Sequence, residues 1–237
     1  DRAGVISAVA VTALTNGVAE PETRIEVLPW TDWLKENRRR FPPIQIGRYF
    51  IHGSHHQKQP PSGSIPLLID AAIAFGSGEH ATTRGCLMAA GDMAKRRHRP
   101  FRVLDMGCGS GILGVAAAKS WPCRVLLSDI DPQARDVARE NTRLNRVPAV
   151  RAISGPGYRN PLVTRKGPYD LIFANILARP LCRMAKDLKR HLAPGGIAVL
   201  SGLTARQEKW VLSAHRAQRL YLKRRIPQDG WHTLVIG

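Results

Sequence analysis

The sequence has few cysteines and no long apolar run. Its four cysteines form no C-x-x-C pair, which fits neither a zinc knuckle nor a disulfide framework. Three neighbouring histidines, His52, His55 and His56, lack a fourth ligand and helical spacing, so we predict no metal site. No apolar run reaches the roughly 18 residues that cross a bilayer. We therefore expect a soluble protein of the reducing cytoplasm, without a membrane partner.

Acidic residues are scarce as well. Asp and Glu number 18 against 36 Lys and Arg, which gives a formal net charge of +18, while 43% of the residues are apolar. The apolar fraction argues against intrinsic disorder, because collapse fails only when low hydrophobicity accompanies high charge. The positive charge keeps nucleic acid open as a partner, since basic surface binds phosphate groups.

Most of the chain alternates between strand and helix patterns, and its 237 residues suffice for one domain or two. Strands are predicted over residues 102–106, 125–129, 149–153, 169–175 and 197–201, and helices over residues 112–120, 132–145 and 179–192. The tail differs, because residues 220–226 and 232–236 are typical of a hairpin around Asp229-Gly230. The repeated β-α units predict an α/β fold with a mostly parallel sheet covered by helices on both faces.

The first part of the chain is less regular. Residues 5–26 are small, apolar and β-branched, and this stretch is too short to fold alone. Residues 30–41 predict a short helix that ends in three arginines, an order that suits the helix dipole. Residues 52–64, with prolines and polar side chains, predict an exposed loop.

The sharpest local motif runs from Asp105 to Gly111, with the sequence Asp-Met-Gly-Cys-Gly-Ser-Gly at the end of a predicted strand. Glycines at such a turn let the backbone approach a ligand closely. Residues 109–114 also satisfy G-x-G-x-x-G, and Asp129 follows 20 residues after Gly109, as a ribose ligand of a dinucleotide would. The pattern alone therefore leaves two cofactors open, a dinucleotide and S-adenosylmethionine.

Two observations favour S-adenosylmethionine. Asp105 directly precedes the first glycine, where a carboxylate would repel a pyrophosphate but attract the cationic amino-acid end of a sulfonium cofactor. The predicted antiparallel hairpin at the end of the chain is unusual for a dinucleotide domain. In this interpretation Asp129 accepts hydrogen bonds from the two ribose hydroxyls, and Asp131 caps the helix that begins at Pro132.

Five motifs then follow one another in an order that resembles a known family. They are Ala74-Phe75-Gly76-Ser77-Gly78-Glu79-His80-Ala81-Thr82-Thr83, Asp105 to Gly111, Asp129-Ile130-Asp131-Pro132, Asn175-Ile176-Leu177 and Leu192-Ala193-Pro194-Gly195-Gly196. This order resembles the methyltransferases of ribosomal protein L11, in their alphaproteobacterial form. The similarity extends from Leu28-Pro29-Trp30 to Asp229-Gly230-Trp231.

The resemblance implies a class I, Rossmann-like S-adenosylmethionine-dependent methyltransferase, with seven strands and a C-terminal antiparallel hairpin. It implies three parts: residues 1–29 as the remnant of an N-terminal substrate-recognition domain, residues 30–64 as a linker helix and lead-in, and residues 65–237 as the catalytic domain. By motif, the cofactor-binding residues would be Thr83, Gly107, Asp129 and Asn175, with Gly109 and Thr82 as neighbours.

The residues themselves give a parallel interpretation of these positions. Thr82 and Thr83 precede an apolar helix pattern, so either hydroxyl could instead cap that helix. Asn175 ends a strongly apolar strand on the side of the sheet where ligands gather, and an amide there is costly unless it is used. We predict that Asn175 is the catalytic residue and that its side-chain oxygen orients the substrate amine.

Three functions remain to be compared. The first is methylation of amino groups of ribosomal protein L11, on lysine side chains, the N-terminus or both, free or on the large subunit. The second is methylation of nucleic acid, although Asn175-Ile176-Leu177-Ala178 lacks the prolines and the aromatic ring that base-amine methyltransferases carry there. The third is a non-catalytic module that binds an adenosyl cofactor. Basic residues 216–225 leave room for an incidental contact with ribosomal RNA.

Overall fold

The computed structural model describes residues 2–25, 42–56, 59–70, 80–96 and 98–237. The chain divides into two compact units, residues 1–36 and 37–237. In the first unit, helix α1 (Arg2–Thr15) is built from small and apolar residues, and its end is tied by Asn16 Nδ2, which donates to Thr12 O (2.8 Å). The helix predicted over residues 30–41 lies outside the described residues.

A small sheet opens the second unit. It consists of β1 (Ile44–Ile46), β2 (Tyr49–His52) and β3 (Ile65–Leu68); β1 pairs with β2 in antiparallel fashion and β3 pairs with β2 in parallel. The sequence did not predict this sheet, because strands of three or four residues show too little periodicity. The predicted loop lies between β2 and β3, and His52 is the half-buried last residue of β2.

The large sheet and its helices follow. The strands are β4 (Arg102–Met106), β5 (Arg124–Asp129), β6 (Val150–Ser154), β7 (Tyr169–Asn175), β8 (Leu192–Thr204), β9 (Leu222–Gln228) and β10 (Trp231–Ile236). The helices are α2 (Ala81–Lys95), α3 (Ile112–Ser120), α4 (Pro132–Leu144), α5 (Pro161–Lys166), α6 (Ala178–Arg183), α7 (Ala185–His191) and α8 (Glu208–Arg216). Short 3-10 turns lie at Gly157–Arg159 and Ala205–Gln207.

The seven strands are ordered β6-β5-β4-β7-β8-β10-β9. Strands β4 to β8 are parallel, and β10 pairs antiparallel with both β8 and β9. The predicted α/β fold with a mostly parallel sheet and a terminal hairpin is therefore confirmed. The sheet has a core on each face: in β7, Leu171 and Phe173 face one, while Ile172 and Ala174 face the other.

Two predicted boundaries were wrong. The helix predicted over residues 179–192 is two short helices that meet at Met184. The strand predicted over residues 197–201 is longer, since β8 begins at Leu192 and already includes Pro194-Gly195-Gly196. The reason is a bulge: Leu192 pairs with Tyr169 and Ile197 with Leu171, so the residues between loop out while the pairing to β7 holds on both sides.

Within the described residues, no helix has the length and apolarity needed to span a membrane.

Candidate active site

The candidate site is built around the turn that follows β4. Gly107, Gly109 and Gly111 adopt positive φ angles of 69°, 50° and 77°, a region that favours glycine. The Gly107 and Cys108 amides donate to the Ser128 carbonyl at 2.8 and 3.2 Å, which ties the turn to β5. A Cβ at position 107 would lie 2.3 Å from Ile176 Cγ2. The glycines of the sequence motif are therefore required by backbone angle and, at Gly107, by space.

Asp129 lies at the end of β5 and faces this turn. Its Oδ2 accepts from the Gly109 amide (2.9 Å) and its Oδ1 from the Asp131 amide (3.0 Å). No cation pairs with it in the described part of the chain. A carboxylate offers about four acceptor sites, so the partly exposed Asp129 keeps two for the hydroxyls of a ligand. The hydrogen bond between Asp129 and the Gly109 amide, which the sequence did not predict, joins the end of β5 to the glycine turn.

Asp105 lies elsewhere than the sequence suggested. Its side chain is 1% exposed, and Oδ2 accepts from the Gly114 amide (3.0 Å) in the first turn of α3. Since Gly111 at the start of α3 offers no side-chain cap, Asp105 supplies one from the neighbouring strand. Burial raises the pKa of Asp105 to about 8, with the charge of Asp129 adding to the effect. Asp105 therefore supports the glycine turn from beneath rather than standing open to a ligand.

Asn175, at the end of β7, contacts helix α2. Its Nδ2 donates to Thr83 Oγ1 (3.3 Å). Its Oδ1 is buried and has no hydrogen-bond partner in the described part of the chain. An unsatisfied buried acceptor costs about 1 to 3 kcal/mol. Asn175 Oδ1 is thus an acceptor at the site that awaits a donor from a ligand.

Thr82 and Thr83 lie inside the first turn of α2 and do not cap it, so the capping interpretation was wrong. The cap is His80, whose Nδ1 accepts from the Thr82 amide (3.4 Å) and lies 2.8 Å from Thr82 Oγ1. The sequence did not predict this cap, because histidine is not among the residues that usually cap the N-terminus of a helix. Thr83 is fully buried and meets Asn175, whereas the Thr82 hydroxyl is turned toward His80.

A bulge in β8 supports Asn175 from the other side. Ser201 and Gly202 together oppose Thr233, since Leu200 pairs with Leu234 and Leu203 with His232. Ser201 Oγ donates to Thr82 O (3.2 Å) and lies 2.8 Å from Thr233 Oγ1. This link between β8 and the start of α2 was missed, because only the strand pairing brings these distant residues together.

Gly202 completes this support. It has a φ of 82°, and a Cβ there would lie 2.3 Å from Ile176 O. Ile176, the residue after Asn175, is therefore enclosed between Gly107 and Gly202.

The arrangement fits an adenosyl cofactor with an amino-acid tail. The glycine turn admits close approach of a ligand, Asp129 keeps acceptor sites for ribose hydroxyls, and Asn175 Oδ1 is an unused acceptor. These features come from the C-terminal ends of β4, β5 and β7, which is where ligands bind in open α/β sheets. The part of the first motif in residues 71–79 lies outside the described residues.

A model of the family described as ribosomal protein L11 methyltransferase (PrmA) matches residues 3–237. The chain belongs to this family. A ribosomal protein L11 methyltransferase of Mesorhizobium japonicum is 43% identical over 210 residues, which cover 88% of this chain and 72% of the relative. One of Bradyrhizobium diazoefficiens is 44% identical over 206 residues, 86% of this chain and 70% of the relative.

Solved structures agree with the family assignment. A ribosomal protein L11 methylase from Lactobacillus delbrueckii subsp. bulgaricus has a TM-score of 0.72 at 28% identity, covering 83% of this chain and 98% of that chain. A methyltransferase from Pyrococcus furiosus, with a TM-score of 0.53 at 19% identity over 63% of this chain and 81% of that chain, shares the fold. The fold is that of class I methyltransferases, and the chain is a methyltransferase whose cofactor is S-adenosylmethionine.

Proposed function

We propose that this chain transfers methyl groups from S-adenosylmethionine to amino groups of ribosomal protein L11, on lysine side chains, the N-terminus or both. In this proposal residues 65–237 form the catalytic domain, residues 30–64 lead into it, and residues 1–29 belong to a substrate-recognition domain. The observation that carries the proposal is the buried, unpartnered Asn175 Oδ1 at the edge of the sheet. The reaction takes place in the cytoplasm, on L11 that is free or assembled in the large subunit.

The cofactor supplies an electrophilic methyl group on a sulfonium. Asp129 accepts hydrogen bonds from the ribose hydroxyls with the lone pairs that Gly109 and Asp131 leave unused. The positive φ angles of Gly107 and Gly109 shape the turn beside which the amino-acid tail would bind. Thr83 holds the Asn175 side chain by accepting from its Nδ2, so that Oδ1 keeps one direction.

The protein must then present a neutral amine. A free lysine has a pKa near 10.4, so about one in a few thousand is deprotonated at pH 7. A pocket closed from water disfavours the ammonium form. Asn175 Oδ1 would accept an N–H of the neutral amine and so fix the direction of the nitrogen lone pair. Such alignment lowers the barrier of an in-line displacement by several kcal/mol.

The first experiment measures Asn175→Ala. We expect kcat at saturating cofactor to fall about 100-fold, since a misplaced nucleophile costs about that factor. Binding of S-adenosylhomocysteine, measured by calorimetry, separates a loss of alignment from a loss of cofactor. A variant with unchanged kcat and only weaker cofactor binding would remove Asn175 from catalysis.

Asn145→Ala is the matched control. Asn145 is also a buried asparagine, but its amide bonds to the Leu68 and Asn141 backbones, and no hydrogen bond joins its side chain to the glycine turn itself. We expect this variant to lose stability and to keep kcat.

The acceptor is tested with labelled cofactor. The chain is incubated with L11 and, separately, with ribosomal RNA, and mass spectrometry locates the methyl groups. We expect label on amino groups of L11. Label on the RNA alone would replace this proposal by nucleic-acid methylation.

A further inference from the structure

An open groove of about 720 Å³ lies at the N-terminal ends of the strands, opposite the candidate site. Its lining includes Arg48 from the β1–β2 turn, His98 and Arg99 from the segment before β4, and Ser120 and Trp121 from the end of α3. It lies where β4 and β5 begin, whereas the glycine turn lies where β4 ends. The groove is therefore separate from the methyl-transfer site.

The groove has positive charge and no carboxylate in its lining. Lys95 and Arg96 at the exposed end of α2 add to Arg48 and Arg99. Within the described ranges, none of these four side chains forms an ion pair. The four cations are thus available to an external anion.

The negative ends of two helices offset only part of this positive charge. Helices α2 and α3 end at the groove, and each C-terminus carries about half an elementary negative charge. Together they offset about one of the four cations. The surplus of positive charge needs another explanation.

The basic stretch near the end of the chain behaves differently. Arg224 pairs with Asp92 (2.5 Å), and Arg225 pairs with Glu208. Two of the arginines in residues 216–225, from which an RNA contact was considered, are therefore neutralised within the protein. At the groove, by contrast, none of the four cations is paired within the described residues.

An exposed aromatic ring near these cations indicates which kind of anionic partner the surface would bind. Phe101 is 53% exposed, and the Arg124 guanidinium lies 5.5 Å from its ring centroid. Phe101 follows Arg99 by two residues, and its carbonyl accepts from the Arg124 amide (2.8 Å). Cations beside an accessible aromatic face are typical of surfaces on which single-stranded nucleic acid binds, with phosphates on the cations and a base on the ring.

We propose that this groove and the surface beside it bind single-stranded RNA. Phosphates contact Arg48 and Arg99 in the lining and Lys95 and Arg96, which follow the lining residue Ala94 in sequence, and a base stacks on the exposed ring of Phe101 just before β4. The inference does not depend on the proposed substrate. Because the two sites lie at opposite ends of the strands of one sheet, RNA bound at the groove leaves the methyl-transfer site open.

The test measures binding of a fluorescently labelled 30-nucleotide single-stranded RNA of mixed sequence, by anisotropy at several salt concentrations. In the groove variant, Arg48, Lys95, Arg96 and Arg99 are all changed to Gln. Each phosphate contact contributes about 0.7 to the slope of log K against log salt for single strands. We expect the slope to become shallower by about 3 and the affinity to fall at least tenfold.

The matched control changes four exposed cations of α6, α7 and α8 to Gln: Arg183, Lys186, Lys189 and Arg216. It has the same net charge as the groove variant, 18 − 4 = +14. We expect it to keep most of the slope. Equal losses of slope and affinity in both variants would show that only overall charge matters, and would overturn the proposal that the groove binds RNA.

Two further variants sharpen the result. Phe101→Leu removes the ring and keeps every charge, so we expect about a tenfold weaker affinity with an unchanged slope. A groove variant with Arg48→Lys and Arg99→Lys keeps the charge and is expected to bind RNA nearly as well as the parent chain, which also controls for folding.

Polyglutamate of matched charge is the competing ligand. If it binds as tightly as the RNA and Phe101→Leu has no effect, the surface recognises acidic polypeptide and the proposal fails. Methyl transfer to free L11 is measured on the same preparations and is expected to be unchanged in the groove variant. A failure of methyl transfer in the parent chain would count against the proposed function alone.

Discussion

The carboxylates at the glycine turn and those beneath the terminal hairpin are satisfied in opposite ways. Asp105 and Asp129 accept only backbone amides among the described residues. Asp92 and Glu208, which face β9 and β10, are paired with arginines. Lys and Arg outnumber Asp and Glu by 36 to 18, so the absence of cations at the turn is not due to a shortage of them.

The difference separates structure from ligand binding. Asp129, which is held by amides alone, keeps part of its lone pairs for a ligand. Asp105 is also held by an amide, but burial raises its pKa, so it supports the turn rather than a ligand. The carboxylates paired with arginine serve the fold. We therefore expect substitutions at the turn to change cofactor binding or pH dependence, and substitutions under the hairpin to change stability alone. Five variants test this division.

The largest effect is expected for Asp105→Asn, in the pH dependence of stability. In the unfolded chain this carboxyl titrates near 3.8, and in the folded chain its pKa is about 8. The folded state therefore binds the extra proton between these values, and the free energy of unfolding falls as pH rises through the window, by up to about 1.4 kcal/mol per pH unit. The asparagine does not titrate, so the variant gains on the parent chain from pH 4 to pH 8.

Urea unfolding at pH 5, 6, 7 and 8 without cofactor measures this difference. If the free energies of unfolding of the two proteins differ by the same amount at every pH, Asp105 is ionised throughout. That result would contradict a raised pKa for this carboxyl.

Asp129→Ala is expected to weaken S-adenosylhomocysteine binding about 100-fold. Two hydrogen bonds from ribose hydroxyls to a carboxylate contribute about 1.5 kcal/mol each or more, and both are lost. Calorimetric titration gives the dissociation constant. An affinity within a few-fold of the parent chain would mean that the ribose is held by other groups.

Glu208→Gln is expected to lower stability by about 2 kcal/mol at pH 7 without changing cofactor affinity. Glu208 is 7% exposed and bonds to both Arg225 and His232. The hydrogen bond from Arg225 is the main reason that the pKa of Glu208 is lowered. Its stabilisation is therefore present above the unfolded value of 4.5 and is lost as pH falls through the lowered folded value.

Glu140→Gln provides the comparison, because Glu140 pairs with Arg143 on the exposed face of α4. Such surface pairs contribute little to stability, because solvent screens the two charges. Urea unfolding at pH 7 compares the two variants, and similar losses in both would contradict a structural role specific to the hairpin pair.

A small effect is also expected for Asp131→Ala. Asp131 Oδ1 accepts from the Gln133 amide (2.8 Å) and caps α4, and loss of such a cap costs about 1 kcal/mol. The Asp131 amide, which donates to Asp129, is retained. Thermal unfolding should therefore show a modest loss while cofactor affinity stays within twofold of the parent chain; a large loss of affinity would show that this carboxylate also contacts the ligand.

Much of the fold was predictable where local pattern and pairing agree. Strand β7 begins and ends at the predicted residues because its apolar run is bounded by polar ones, and α4 begins at Pro132 with Asp131 as its cap. The position of Asp129 at the end of a strand next to the glycine motif was also predicted. That these residues and Asn175 bind the cofactor stays a prediction.

The remainder depends on contacts between distant segments. The bulge at Ser201-Gly202 exists only because β8 pairs with β10 out of register, and no local pattern encodes it. The capping role of His80 and the burial of Asp105 under α3 likewise arise from the packed structure. The strand β1, with the sequence Ile-Gln-Ile, is too short for its periodicity to be recognised.

Ile176, enclosed between Gly107 and Gly202, has a consequence for how this enzyme can change over generations. An alanine at either glycine would push on Ile176 from one side and shift Asn175 with it. At Gly202 the contact is with the backbone of Ile176, and both glycines have positive φ angles, so an alanine would strain the fold and the site together. We therefore expect natural selection to keep glycine at both positions.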